Sequence, residues 1–165
     1  MLPGLPMMPI AAVPLTAEAF AAFGTVVVHR GGDPLMPCHG AFEHATEATR
    51  TVMSVLRVTT AFRGSITIPR LERHPYSAQT FIPLKGGKSL LIVCGAEADG
   101  RPRLSDVRAF VAAPDQGVTY RRNVWHRSVT ALEAPSEFVV LMTQTGRDDD
   151  NVFHDLEPPL IVETP

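Results

Sequence analysis

Hydrophobic and polar positions along most of this chain follow the pattern of β-strands. Eight segments rich in Val, Ile, Thr or aromatic residues are separated by short polar or glycine-rich stretches. Segments of this kind at fairly even spacing are typical of a β-sandwich or a β-barrel. Turn signals lie between several of them: KGGK at 85–88, EADGRP at 97–102 and PDQG at 114–117. The predicted strands are 24–30, 50–59, 64–74, 79–84, 89–97, 107–113, 117–126 and 137–145.

Two of these segments are apolar at consecutive positions instead of alternate ones. They are LLIVC at 90–94 and FVVLM at 138–142. Strands buried on both faces show such runs, whereas strands with one face in water alternate. The sequence therefore predicts two packed sheets, and we expect an antiparallel jelly-roll barrel.

One segment predicts a helix. Thr16 is a good N-cap, Glu18 suits the first helical turn, residues 19–23 are mostly apolar, and Gly24 ends the pattern. We therefore expect an all-β fold with one short N-terminal helix.

The remaining segments predict irregular structure around a single domain that covers residues 1–165. Residues 1–14 contain four prolines and predict an N-terminal arm, and residues 31–48 predict a long loop. Residues 147–165 predict an irregular C-terminal tail, in which the acidic run RDDDN at 147–151 is a solvated surface. A chain of 165 residues is long enough for one substantial core and short for two.

Composition excludes several classes of partner. Fifteen Lys and Arg against 17 Asp and Glu give a net charge of -2, and the basic residues are scattered, so no nucleic-acid surface is indicated. The apolar start has no basic residue ahead of it and several prolines within it, which is unlike a signal peptide or a membrane helix. Cys38 and Cys94 form no C-x-x-C motif, and Cys94 lies in an apolar run. We expect a reduced, cytoplasmic protein.

Four polar residues are candidates for chemistry. Glu72 and His74 are two positions apart on a predicted strand, so their side chains point to the same face. Gln79 begins the next strand, and His126 ends the strand 117–126. If the shared face is the barrel interior, all four side chains meet there. Carboxylate and imidazole are ligands for divalent Zn, Mn, Fe or Ni, and a Gln amide is a weaker one.

The spacing of these residues resembles the two motifs of the cupin family. The first cupin motif has two histidines one residue apart, then a glutamate and a glycine. Here Glu72 stands for the first histidine, Gln79 for the glutamate, and Gly86 is kept. The stretch RRNVWH at 121–126 resembles the second motif, with Asn123 in the glycine position. The resemblance implies a cupin-like barrel with a metal site inside it.

A narrower resemblance covers most of residues 14–145. The stretches AEAFAAFG at 17–24, ERHPYSAQTFIPLKG at 72–86 and RAFVAAPDQGVTYRRNVWH at 108–126 are similar to the ureidoglycolate lyase family. This resemblance implies a carbon–nitrogen lyase that cleaves ureidoglycolate to glyoxylate and urea in allantoin and purine nitrogen breakdown. It also implies a small carboxylate substrate, a homodimer, and no membrane or nucleic-acid partner. A divalent metal, Ni, Zn or Mn, would serve as cofactor, with no organic cofactor.

The same resemblance implies catalytic roles for three residues. Either His126 or Glu72 would take the hydroxyl proton of the substrate, and His74 would protonate the leaving nitrogen. The implied metal ligands are Glu72, His74, Gln79 and His126.

The substrate carboxylate needs a cation, which Arg57, Arg122 or Lys85 would supply. Gln79 would orient the ureido group, and Tyr120 would either contact substrate or pack in the core. Strand parity places Arg127 on the face opposite to His126, which favours the surface for that residue.

This chain also departs from the family pattern. Arg127 stands where the family usually has a second histidine, the loop reads CHGAFEHATEA at 38–48, and a family aspartate is missing near residues 142–143. These changes alter the residues that would face substrate. Two alternatives therefore stay open: another cupin enzyme for a small organic acid, such as a metal-dependent isomerase or dioxygenase, and a non-catalytic cupin that binds a small ligand.

Overall fold

Strands form most of the regular structure. The computed structural model describes residues 8–165. One short helix, α1 (Ala17–Phe20), and a single 3-10 turn at Leu104–Asp106 accompany the strands. The strands are β1 (Ile10–Ala11), β2 (Val13–Pro14), β3 (Gly24–Val27), β4 (Arg50–Val58), β5 (Ser65–Arg73), β6 (Gln79–Lys85), β7 (Ser89–Cys94), β8 (Arg108–Ala112), β9 (Gly117–Tyr120), β10 (Trp125–His126), β11 (Thr130–Ala131), β12 (Ser136–Gln144) and β13 (Val152–Glu163).

Two sheets divide these strands. The large sheet has eight strands in the order β1-β13-β5-β10-β7-β8-β2, with β11 also paired to β7. The small sheet has five strands in the order β3-β9-β6-β12-β4. The large sheet curls into a nearly closed barrel, so the predicted all-β fold with one short helix is confirmed.

Both faces of the large sheet are buried at its central strand β7. On β7, Leu91 and Val93 pack with small-sheet residues such as Phe81, while Leu90 and Ile92 belong to a second cluster with Trp125 and others. All six residues of β7 are buried, as the unbroken apolar run predicted. The outer face of the small sheet is more open, and Met53 and Val55 on β4 are exposed there.

Local sequence signals account for several element ends. The Thr16 side chain accepts a hydrogen bond from the Ala19 backbone nitrogen, so the predicted helix cap is confirmed. The predicted strand 117–126 is interrupted at Asn123, whose φ is 64°. Asn adopts this left-handed conformation more readily than most residues, and the break separates β9 from β10. At Gly86, φ is 121° and a Cβ would collide with Ser136, so the KGGK turn needs glycine there.

The prediction of an irregular tail over residues 147–165 was wrong. Strand β13 is the longest strand described, with 12 residues, and it pairs antiparallel with β5 along both of its halves. The register shifts between Asp155 and Leu160, around two prolines that cannot donate to a ladder. The sequence did not predict this strand because charged residues and prolines interrupt its pattern, although Leu156 and Leu160 are buried in the core.

The prediction of an irregular arm over residues 1–14 was also partly wrong. Strand β1 pairs in parallel with β13, and β2 pairs in parallel with β8. Residues 1–7 of the predicted arm lie outside the described part of the chain.

Two further sequence features have a clear outcome. Both cysteines are free thiols, and burial raises the pKa of Cys94 to about 12. In the described chain, no helix has the length and apolar character needed to cross a membrane.

Candidate active site

Strand pairing brings the predicted residues together. His126 on β10 lies directly opposite Glu72 on β5 and opposite Val93 on β7. Opposed residues of an antiparallel pair point to the same face, here the face that looks toward the small sheet. His126 is 1% exposed, whereas the Glu72 side chain is 19% exposed and borders the cavity described below.

His74 joins this pair just after the end of β5. Its ring centroid lies 5.1 Å from that of His126. Glu72, His74 and His126 each offer one ligand atom, and these three atoms lie within 4.8 Å of one another. The spacing of the two sequence motifs therefore led to three residues that the fold brings together.

Both histidine rings are oriented by backbone carbonyls. His74 Nδ1 lies 3.3 Å from the carbonyl oxygen of Asp150, and His126 Nδ1 lies 2.9 Å from that of Val124. A carbonyl oxygen can only accept, so each Nδ1 carries a proton, and in a neutral ring the Nε2 atom then has a free lone pair. His74 Nε2 is buried and has no hydrogen-bond partner among the described residues.

The side chain of Gln79 adds a further oxygen to the cluster. Its Oε1 lies 3.0 Å from His126 Nε2, and Glu72 Oε1 lies 3.7 Å from the same nitrogen. Neutral His126 has one N–H, which Val124 already accepts. The lone pair of His126 Nε2 would therefore face a lone pair of Gln79 Oε1, unless a cation lies between the two atoms or the Gln79 amide turns its NH₂ group toward the ring.

This arrangement fits a divalent metal. The unpartnered Nε2 of His74, the Nε2 of His126, the carboxylate of Glu72 and the amide oxygen of Gln79 are a mixed nitrogen and oxygen donor set. The Nδ1–H bonds to backbone carbonyls resemble the outer hydrogen bonds that commonly orient metal-binding histidines. The chain thus offers the ligands that the cupin resemblance implies.

Burial sets the protonation of the site. Burial, with a smaller contribution from neighbouring His74, lowers the pKa of His126 to about 3, so this imidazole is neutral at physiological pH. Burial raises the pKa of Glu72 above its usual value, although His74 and Arg127 partly offset the effect. Glu72 is therefore a stronger base than an exposed glutamate.

Tyr120 supports the His126 ring. The two rings are stacked with centroids 4.3 Å apart and planes 14° apart. Tyr120 also packs against Phe20 and Phe81 in the core, and its hydroxyl is buried without a partner among the described residues. Burial, with the nearby Glu72 charge, strongly raises the pKa of this phenol.

Two adjoining cavities border the cluster. The first, of about 160 Å³, touches Glu72, His126 and Arg127, with Arg70 and Phe153 at its border. The second, of about 270 Å³, touches Gln79 and the inner faces of β4 and β12, and Ser128 lines both. A larger cavity of about 510 Å³ lies elsewhere, beside Pro14, Lys88 and Gln116, and contains none of the clustered residues.

The structure does not bring the three predicted carboxylate-binding cations to this site. Arg57 is exposed and pairs with Glu137 at 3.7 Å, and Lys85 lies in register with the same Glu137 at the far end of β6 from Gln79. Arg122 donates from Nε and Nη2 to the carbonyl oxygen of Pro75 at 3.0 and 2.9 Å, so it stabilises the segment after His74.

Sequence reasoning missed two residues near the cluster. Arg127 was predicted at the surface by strand parity, but β10 ends at His126, and Arg127 is half-buried beside Glu72. Asp150 was predicted in a solvated acidic run, but it is 8% exposed and its carbonyl holds His74. For Arg127, the only signal in the sequence was that the family usually has a histidine at this position.

Known proteins match nearly the whole chain. Residues 7–163 match the family model described as Ureidoglycolate lyase. A putative ureidoglycolate lyase of Agrobacterium fabrum is 41% identical over 157 residues, which cover 95% of this chain and 96% of that protein. The ureidoglycolate lyase of Mesorhizobium japonicum is 39% identical, with 90% and 94% covered, and that of Brucella ovis is 38% identical, with 83% of each covered.

Proposed function

The chain belongs to the ureidoglycolate lyase family, and on that premise we propose that the cluster of Glu72, His74 and His126 is where it cleaves ureidoglycolate to glyoxylate and urea. The observation that carries the proposal is the convergence of these three side chains within 4.8 Å beside a cavity of small-molecule size. The reaction needs a base for the substrate hydroxyl, a proton for the leaving nitrogen, and a cation for the carboxylate.

Glu72 is the proton carrier in this proposal. The hydroxyl and the ureido nitrogen of ureidoglycolate are bonded to the same carbon, so one carboxylate can reach both. Glu72 takes the hydroxyl proton as the C=O bond forms and the C–N bond breaks, and then gives that proton to the departing nitrogen of urea. Its raised pKa suits both steps, because a stronger base accepts the proton and its acid form can return it.

The two histidines hold the reacting groups. In this proposal both rings act as imidazoles with the proton on Nδ1, so each directs an Nε2 lone pair toward the cluster and neither donates a proton from that atom. A divalent metal held by these nitrogens, with Gln79 and one oxygen of Glu72, would act as a Lewis acid on the substrate hydroxyl. Tyr120 keeps the His126 ring in place by stacking.

Arg127 holds the substrate carboxylate. The other guanidinium group that lines this cavity already has a partner, because Arg70 bonds Asp155 at 2.6 and 3.1 Å. Arg127 lines the cavity beside Glu72, and its guanidinium has no hydrogen bond or ion pair among the described residues. A guanidinium binds a carboxylate through two parallel hydrogen bonds, which also orients the substrate.

The family resemblance implies a homodimer, and β4 offers an interface for it. This nine-residue strand is at the end of the small sheet, so one side of its backbone is unpaired in the described chain. Its outward residues Met53 and Val55 are 71% and 63% exposed. Antiparallel pairing of β4 with β4 of a second copy would extend the sheet, use the unpaired backbone groups and place side chains of the second copy beside both residues. Sedimentation of the wild type and of Val55→Lys tests this: a monomeric wild type, or an unchanged dimer, contradicts it.

Release of glyoxylate and urea from ureidoglycolate by the purified protein tests the function. We expect equal amounts of the two products, and a fall of about 100-fold or more in rate for His126→Ala. His29→Ala is the matched control, because His29 is exposed and far from the cluster in sequence. Absence of both products would move the assignment to another small acid or to a binding role, and full activity of His126→Ala would place the chemistry elsewhere.

A further inference from the structure

One residue of the acidic run 147–151 is built into the fold. Asp150 is 8% exposed, and its carboxylate accepts three hydrogen bonds. Oδ1 accepts from the backbone nitrogen and the hydroxyl of Thr145 at 2.8 and 2.9 Å, and Oδ2 accepts from the backbone nitrogen of Gly146 at 3.0 Å. These bonds close the turn between β12 and β13, where Gly146 has a φ of 80°.

The same residue contacts the active-site cluster through its backbone. The carbonyl oxygen of Asp150 accepts the Nδ1 proton of His74 at 3.3 Å. This bond selects the tautomer in which His74 Nε2 is unprotonated, and that nitrogen is the buried atom that points to the cluster without a partner. The position of one carbonyl therefore decides whether His74 offers a lone pair or a proton to the site.

The other contacts of this turn are weaker anchors. Asp149 accepts from the Tyr76 hydroxyl at 2.7 Å, and the Arg147 guanidinium lies 4.8 Å from the centre of the Tyr76 ring. Asp149 and Arg147 are exposed, so water can replace much of what they contribute. The buried bonds of Asp150 are not replaceable in this way, because their loss leaves backbone donors without partners.

We propose that Asp150 is a positioning residue for His74. Its carboxylate holds the 145–150 turn, and the turn places the Asp150 carbonyl where it fixes both the orientation and the tautomer of the His74 ring. Asp150 does not touch substrate. The expected loss of turnover rests on the proposed function, but the effect on the His74 tautomer does not.

The test compares Asp150→Ala with Asp148→Ala, which removes an exposed charge from the same run. Nitrogen-15 NMR of the imidazole groups identifies the protonated ring nitrogen directly. We expect the wild type and Asp148→Ala to carry the His74 proton on Nδ1, and Asp150→Ala to shift it wholly or partly to Nε2. In glyoxylate release, kcat of Asp150→Ala falls about 10–100-fold with a smaller change in KM, while Asp148→Ala keeps the wild-type values.

Asp150→Asn provides a graded variant that preserves the shape of the side chain. Its amide oxygen can still accept from Thr145, but its NH₂ cannot accept from Gly146, so we expect a smaller shift and a smaller loss than for alanine. If Asp150→Ala does not fold, the asparagine variant carries the test. An unchanged Nδ1–H tautomer in a folded variant that lacks the Asp150 carboxylate overturns the proposal. If the wild type shows no lyase activity, only the proposed function is contradicted, because the NMR comparison of the His74 tautomer does not depend on activity.

Discussion

His126 lies face to face with Tyr120, with ring centroids 4.3 Å apart and planes 14° apart. Tyr120 is itself fixed among Phe20, Phe81 and other core residues, so the hydrophobic core determines the orientation of an imidazole in the candidate active site. The free energy that orders the core also orders the site, and the reaction pays little further entropy for holding the ring. Burial by the same core keeps His126 neutral.

Arg127→Ala tests the carboxylate contact. We expect KM for ureidoglycolate to rise about 10–100-fold with a smaller change in kcat, because a charge-assisted bidentate contact is lost. Arg127→Lys restores the charge but not the fork geometry and should give an intermediate KM. Arg121→Ala removes an exposed neighbouring charge and should leave steady-state kinetics unchanged. A wild-type KM for Arg127→Ala would exclude this residue from substrate binding.

Glu72→Gln tests whether the carboxylate serves activity at the cost of stability. Because burial raises the folded-state pKa of Glu72, the folded protein holds this proton more tightly than the unfolded chain does. The resulting stabilisation is complete below the usual glutamate pKa and is lost as pH rises through the raised pKa, so at neutral pH the charged group destabilises the metal-free fold. We expect Glu72→Gln to raise Tm at pH 7.5 after chelation, to match the wild type near pH 4, and to lose glyoxylate release.

Thermal unfolding of both proteins at the two pH values decides this prediction. A lower Tm for Glu72→Gln at pH 7.5 would mean that the ionised carboxylate is compensated by its neighbours instead of strained by burial.

Metal analysis tests the donor set. We expect about one equivalent of divalent ion per chain, removed by chelation together with activity and absent from His74→Ala and His126→Ala. Reactivation by nickel, zinc or manganese, added separately to the chelated wild type, identifies the effective ion. His154→Ala is the control, since His154 packs against Trp125 outside the cluster. Equal metal content in the wild type and both cluster variants would exclude these histidines as ligands.

Leu160→Ala tests the structural role of β13. Leu160 is fully buried in the second core cluster, so its truncation should destabilise the fold by about 2–5 kcal/mol. Chemical denaturation measures this loss, and Glu163→Ala on the exposed end of the same strand should change stability by less than about 0.5 kcal/mol. A neutral effect of Leu160→Ala would mean that the C-terminal strand is dispensable.

Local patterns were sufficient to predict most of the fold. Strands such as β4, β7 and β12 carry their own signal, because β-branched and apolar residues run through them. Strand β13 does not, since HDLEPPLIVE mixes charges and prolines, and its burial depends on pairing with the distant β5. Pairing between segments far apart in sequence has no local signature.

The same distinction applies to the site. Motif spacing predicted Glu72, His74 and His126 because strand alternation fixes which side chains share a face. It failed for Arg127, since alternation ends where β10 ends, and for Asp150, since the burial of a charged residue depends on how a turn closes. Arg57 and Lys85 have suitable charge but lie at the wrong end of their strands.

The position of His126 between β5 and β7 has a consequence for how this protein can diverge. The strands on either side of β10, which are β5 and β7, are interior strands of the large sheet, so mutations that displace His126 also disturb the barrel. Arg127 begins the irregular segment after β10, where a substitution leaves those ladders intact. In the proposed site, selection can therefore change which acid is recognised through the residues after the strand ends, while the residues proposed for the lyase chemistry are retained inside the barrel.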